Sequence, residues 1–134
     1  MPKIQIYSWQ DFEADVEKIA KILKFMDRKF SYIYGPPRGG LPLAVCLSHR
    51  LDLKLTVSSP LSIQIQADAD FAKDVRENAL IVDDIADTGK TLKEFREAGY
   101  FIATLFWHRQ SAVKPEIAIR EKGNFWIQFP WEVK

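Results

Sequence analysis

The sequence predicts an α/β fold, with a mostly parallel central sheet flanked by helices and a small hood made by the carboxyl-terminal residues. Three observations predict it. Short apolar runs alternate with stretches of helical period, which is the order that strand–helix units take in a parallel sheet. Two of those runs end in loops suited to close approach, Gly35-Pro36-Pro37-Arg38-Gly39-Gly40 and Asp83-Asp84-Ile85-Ala86-Asp87-Thr88-Gly89. The tail Phe125-Trp126-Ile127-Gln128-Phe129-Pro130-Trp131 is too aromatic for a solvated terminus, so it packs over something.

Along the chain, Ile4 and Ile6 alternate with Lys3 and Gln5 as in a short strand, and Ser8 with Asp11 forms an S-x-x-D helix start. Phe12, Val16, Ile19, Leu23 and Met26 then mark one packed helix face. Ser31 to Tyr34 reads as a strand, followed by the Gly/Pro turn and a helix from Leu41 to Arg50, on which Cys46 is a small buried thiol and His49 a surface residue. Leu53 to Val57 and Leu61 to Ile65 read as two further strands around Ser58-Ser59-Pro60, and the polar stretch Gln66 to Asn78 as a mobile loop. Ala79 to Val82 is a buried strand that ends in Asp83-Asp84. Lys90 to Ala98 is a helix closed by Gly99, and Phe101 to Trp107 a returning strand.

The 134 residues suit a single domain spanning 1–134, with 47% hydrophobic and 28% charged residues, the balance of a globular chain. A net charge of +1 gives no field to hold a polyanion, so nucleic acid is not expected as a partner. The lone cysteine excludes an internal disulfide, and no stretch reads as a signal peptide or membrane span, which points to the cytoplasm.

The chemistry concentrates in Asp83 to Thr91. Adjacent carboxylates at a strand end repel one another, and a ribose diol with Mg²⁺ supplies the hydroxyls and the cation that compensate them. Asp87-Thr88-Gly89-Lys90-Thr91 entering a helix offers N–H groups and hydroxyls to a phosphate monoester. A Walker A loop would need glycine where Asp84 stands. A receiver domain would need a later phospho-accepting aspartate, and no Asp follows Asp87. Taken singly, Asp87 also reads as a helix N-cap and Trp126 as a core aromatic.

Val82-Asp83-Asp84-Ile85-Ala86-Asp87-Thr88-Gly89-Lys90-Thr91 resembles the phosphoribosyl pyrophosphate signature of type I phosphoribosyltransferases. Pro37-Arg38-Gly39-Gly40-Leu41 is similar to the pyrophosphate loop of the xanthine-guanine and hypoxanthine-guanine members, and Trp126-Ile127-Gln128-Phe129-Pro130-Trp131-Glu132 to the W-I-x-x-P-W hood of the xanthine-guanine enzymes. The resemblance implies transfer of a phosphoribosyl group to guanine, xanthine or hypoxanthine in purine salvage, with release of pyrophosphate. It implies Asp83 and Asp84 on the ribose and Mg²⁺, and Asp87, Thr88, Gly89, Lys90 and Thr91 on the 5′-phosphate. Pro37, Arg38 and Gly39 would hold pyrophosphate, while Asp87 would act as the catalytic acid/base beside N7. His108, Trp126 and Ile127 would meet the base, and the chain would form a homodimer or homotetramer.

His108 stands where the family carries a lysine that donates to O6. Neutral imidazole both donates and accepts, which leaves the base open, although Arg109 restores a donor. The stretch 66–78 is short for the family's lid. Two alternatives therefore stay open: an enzyme for adenine or a pyrimidine, and a non-catalytic sensor of phosphoribosyl pyrophosphate.

Overall fold

A computed structural model describes residues 3–66 and 68–132. The chain runs β1 (Lys3–Ile6), α1 (Trp9–Phe25), β2 (Tyr32–Tyr34), α2 (Leu41–Leu51), β3 (Lys54–Leu55), α3 (Pro60–Gln66), α4 (Ala69–Asn78), β4 (Ala79–Ala86), α5 (Lys93–Glu97), β5 (Phe101–Trp107), β6 (Ile117–Glu121) and β7 (Phe125–Gln128). Five strands form a wholly parallel sheet in the order β3-β2-β4-β5-β6. Side-chain alternation sorts its core. Leu80 and Val82 of β4 face the layer of α1 and α2 with Val16, Ile19, Leu43 and Leu47, while Ile81 faces the opposite cluster of Phe95, Tyr100 and Ile102.

The first helix forms as its capping pair dictates. Asp11 N–H donates to Ser8 Oγ at 3.0 Å, and Ser8 N–H donates to Asp11 Oδ2 at 3.0 Å. Phe12, Val16, Ile19 and Leu23 are buried. The wholly buried Asp15 on the same helix accepts from Tyr7 Oη at 2.6 Å and from Arg120 Nε at 2.6 Å, which ties α1 to β6.

The hood is a two-element structure. β7 lies parallel to β1, pairing Ile4 with Trp126 and Ile6 with Gln128. Phe129 stacks on Trp131 with centroids 5.0 Å apart, and Trp131 meets Phe12 of α1 edge-on at 5.2 Å. The aromatic tail therefore packs over the first helix and borrows the first strand.

Several expected elements differ. Leu61 to Ile65 alternates apolar and polar residues, as a strand would, but belongs to helix α3. Pro60 suits a first helical turn, Ser59 Oγ accepts from Leu61 N–H at 3.2 Å, and Ile65 is left 85% exposed. The expected loop 66–78 is mostly helix α4, capped by Asp68, whose carboxylate accepts from Phe71 N–H at 2.8 Å; Ala67 lies outside the described residues. Its polarity misled because only Val75 is buried. The strand expected over Leu53 to Val57 contracts to Lys54–Leu55 at the sheet edge. Cys46 is only partly buried. The helix after the acidic loop starts at Lys93, so Lys90, Thr91 and Leu92 form a turn. Among the described residues no helix is long and apolar enough to cross a membrane.

Candidate functional site

β2 and β4 are parallel neighbours, with Tyr34 opposite Ile81, so the loops leaving their carboxyl ends converge. The approach is close enough to require a glycine. A Cβ on Gly39 would lie 2.5 Å from Asp84 Oδ2, so any side chain there displaces the carboxylate. The Pro37–Arg38 peptide beside it is cis.

Asp83 and Asp84 lie inside β4, not beyond its end: Asp83 stands opposite Thr104 of β5. Asp83 is 7% exposed. Its Oδ1 accepts from Asp84 N–H at 2.9 Å, and Asp84 Oδ1 accepts from Ile85 N–H at 2.8 Å. Burial, chiefly, raises the pKa of both carboxyls; the neighbouring Asp84 adds to the rise at Asp83 and the Glu132 charge to that at Asp84. Among the described residues neither forms an ion pair with a cation.

The turn that follows is braced from below. Gly89 has φ +84°, and a Cβ there would meet Val113 N at 2.7 Å and Ser111 Oγ at 2.8 Å. Ala112 N–H donates to Thr88 O at 3.0 Å, and Ser111 Oγ donates to Val113 O at 2.7 Å. Lys90 N–H donates to Thr88 Oγ1 at 3.2 Å. Among the described residues, the N–H groups of Thr88, Gly89 and Thr91 have no acceptor within the protein. They leave a cluster of free donors built from a turn, not from a helix end.

Two hollows share this floor. The larger, about 300 Å³, is bounded by Pro36, Pro37, Gly39, the acidic pair and the turn from Asp87 to Thr91. The smaller, about 150 Å³, continues past Asp84 and Asp87 to Trp126, Ile127 and Glu132. Arg38 is exposed and borders a third opening next to Asp84, Trp131 and Glu132.

Of the residues expected at a base, Asp87, Trp126 and Ile127 line the smaller hollow together. His108 lines neither hollow: its Nδ1 accepts from Gln110 N–H at 3.2 Å. Arg109 pairs with Glu121 at 3.0 Å. The smaller hollow instead holds a cation that the sequence reading did not single out, Lys122, whose Nζ is 3.0 Å from Asp87 Oδ2. The bracing Ser111 was likewise missed, and Glu132, which ends the hood motif, was given no role in the site although it lines the smaller hollow. No local motif marks Lys122 or Ser111, because each reaches the site from a segment distant in sequence: Lys122 N–H donates to Trp107 O at 2.8 Å and Ser111 lies under Gly89.

A carboxylate pair that no cation of the described residues meets, next to free N–H groups and an aromatic recess, can grip a phosphorylated polyol and a flat ring side by side. Comparisons with known proteins agree with that geometry. The model of the phosphoribosyl transferase domain matches residues 4–99. The chain is 26% identical to the xanthine-guanine phosphoribosyltransferase of Idiomarina loihiensis, over 94% of this chain and 85% of that protein. Its counterpart in Chromohalobacter salexigens is also 26% identical, over 94% and 82%. Among solved structures, a purine phosphoribosyltransferase from Pyrococcus horikoshii superposes with a TM-score of 0.75 at 28% identity, covering 98% of this chain and 95% of that one.

Proposed function

The chain belongs to the phosphoribosyl transferase family, and from that premise we propose that it transfers the 5-phosphoribosyl group of phosphoribosyl pyrophosphate to a purine base, releasing pyrophosphate. The observation that carries this reading is the acidic pair of buried Asp83 and half-buried Asp84, which no cation of the described chain compensates, between the free N–H groups of the Thr88 to Thr91 turn on one side and the Asp87–Trp126 recess on the other. The names of the similar proteins, xanthine-guanine and purine phosphoribosyltransferases, favour a purine.

In this reading the N–H groups of Thr88, Gly89 and Thr91, with the Thr88 and Thr91 hydroxyls and Lys90, hold the 5′-phosphate. Asp83 and Asp84 accept from the ribose 2′- and 3′-hydroxyls. Arg38 and the N–H groups of Arg38 and Gly39 take the pyrophosphate. The donor set also fits Mg²⁺, a hard cation that binds through one or two carboxylates while keeping waters and phosphate oxygens; no group of three or more metal-ligating side chains occurs among the described residues. Bound there, Mg²⁺ would neutralise the departing pyrophosphate.

The bond from C1 of the ribose to pyrophosphate breaks as a ring nitrogen of the base attacks C1. Positive charge growing at C1 is favoured by the carboxylates of β4. Asp87, beside N7, takes the proton that the base gives up. Trp126 provides the stacking face and Ile127 meets the ring edge. The reaction belongs in the cytoplasm, where Cys46 stays reduced, and the protein works as a homodimer or homotetramer. The test is an assay with Mg²⁺, phosphoribosyl pyrophosphate and each of guanine, xanthine, hypoxanthine, adenine and uracil. Turnover with purines is expected, and no turnover with any purine rejects the reading.

A further inference from the structure

Lys122 sits in the turn from β6 to β7, yet its side chain is only 14% exposed. Its backbone N–H donates to Trp107 O at 2.8 Å, which fixes the residue against the end of β5. From there Nζ reaches Asp87 Oδ2 at 3.0 Å and lies 5.8 Å from the centroid of the Trp126 ring. An ammonium has three donors and no acceptor. Among the described residues Asp87 is its only hydrogen-bond partner, and the side chain lines the smaller hollow.

A tie of purely architectural purpose looks different in this molecule. Arg120 spends two nitrogens on Asp15 and lies over the Tyr7 ring, away from both hollows. Lys122 is aimed into a recess, spends one donor, and sits beside the face on which a ring would stack. We propose that Lys122 is the residue that selects the base: it donates to a 6-oxo group and so favours 6-oxopurines over adenine. This rests on the purine reading given above.

The chemistry of the purine edge supports the assignment. N7 and the substituent on C6 lie side by side on one edge, where guanine and hypoxanthine carry an oxygen and adenine an amino group. With Asp87 accepting from N7–H, the neighbouring ammonium falls at the C6 substituent. Carboxylate and ammonium then read N7–H and O6 as an acceptor–donor pair. Adenine would set an amino group against the ammonium, donor against donor, and leave the donors that Asp87 does not occupy without an acceptor in the recess. His108 is not placed for this task, since its Nδ1 is held in its own turn by Gln110 N–H.

The experiment is steady-state kinetics on the full chain with Mg²⁺, phosphoribosyl pyrophosphate and either hypoxanthine or adenine, for wild type, Lys122→Met and Lys122→Arg. The wild type is expected to prefer hypoxanthine. Lys122→Met should lose about 10- to 100-fold in kcat/KM for hypoxanthine, the range for a hydrogen bond from a charged donor, mainly through KM of the base. Adenine should lose far less, KM for phosphoribosyl pyrophosphate should stay put, and Lys122→Arg should restore the preference. A hypoxanthine-to-adenine ratio unchanged in Lys122→Met, or an equal loss with both bases, overturns the inference while the purine reading survives. No turnover of any purine by the wild type overturns both. Should Lys122→Met fail to fold, Lys122→Gln is read by the same ratio, with a smaller drop supporting the inference and an unchanged ratio overturning it.

Discussion

Asp15 on α1 and Asp83 on β4 are both buried carboxyls, and the chain treats them in opposite ways. Asp15 is fully enclosed, but Tyr7 Oη and Arg120 Nε each donate to it at 2.6 Å. Its partners record the contact. The Arg120 guanidinium is held above its usual pKa, chiefly by the Asp15 hydrogen bond, and the Tyr7 phenol is raised by burial and by Asp15. Asp83 instead has a second carboxyl beside it and no cation among the described residues, and its pKa is raised chiefly by burial. A buried charge satisfied within the chain holds the fold together; one left unsatisfied costs stability and is kept because a ligand completes it.

The contrast is broken most sharply by removing a partner at the first site. Asp15→Ala strands Arg120 and the Tyr7 hydroxyl, and should lower unfolding free energy by about 3–5 kcal/mol in urea titration. Such a protein, where it still folds, should bind phosphoribosyl pyrophosphate normally. Asp84→Asn should do the converse, lowering kcat/KM by about 100- to 1,000-fold, or about 2.7–4 kcal/mol, with no loss of stability. Gly39→Ala should follow at about 10- to 100-fold, because its methyl must push Asp84 aside; a crystal structure would show the displaced carboxylate. The smallest effect is with pH. The substrate needs both acids ionised, and both pKa values are raised, so affinity for magnesium phosphoribosyl pyrophosphate should tighten as pH rises from the ordinary carboxylate range toward the raised values. Calorimetry in buffers of different ionisation enthalpy should detect protons released on binding. Near-neutral uptake, or a pH-independent affinity, would place the substrate elsewhere.

What was legible in the sequence was what is local. The acidic pair and the Thr88 to Thr91 turn are contiguous, as is the Pro37 to Gly40 loop, and the structure brings the three segments around one hollow. The helix from Trp9 to Phe25 was legible because cap and packed face lie in one segment. The errors fall where short segments carry a misleading pattern: the period-two alternation of Leu61 to Ile65 resolves into a helix once Ser59 caps it, and the polar α4 buries only Val75. The hood's partner was hidden because β1 and β7 lie at opposite ends of the chain. Lys122 was hidden for the same reason. Position along the sequence pointed to His108 at the end of β5, whereas a turn two strands' pairing away delivers the cation to Asp87.

The central claim concerns the cost of the acidic pair, and the melting temperature of ligand-free Asp83→Asn tests it most directly. The native wild type holds extra protons between the ordinary carboxylate range and the raised pKa of Asp83, so its stability from this group falls as pH rises through that window. An amide keeps the Oδ1 acceptor for Asp84 N–H and has no charge to desolvate. The variant should therefore melt above the wild type, with a gap that is nil in acid and widens toward neutral pH, while binding of magnesium phosphoribosyl pyrophosphate is lost. A variant that melts below the wild type at every pH, as Asp15→Ala should, would show that Asp83 serves the fold and would contradict the account.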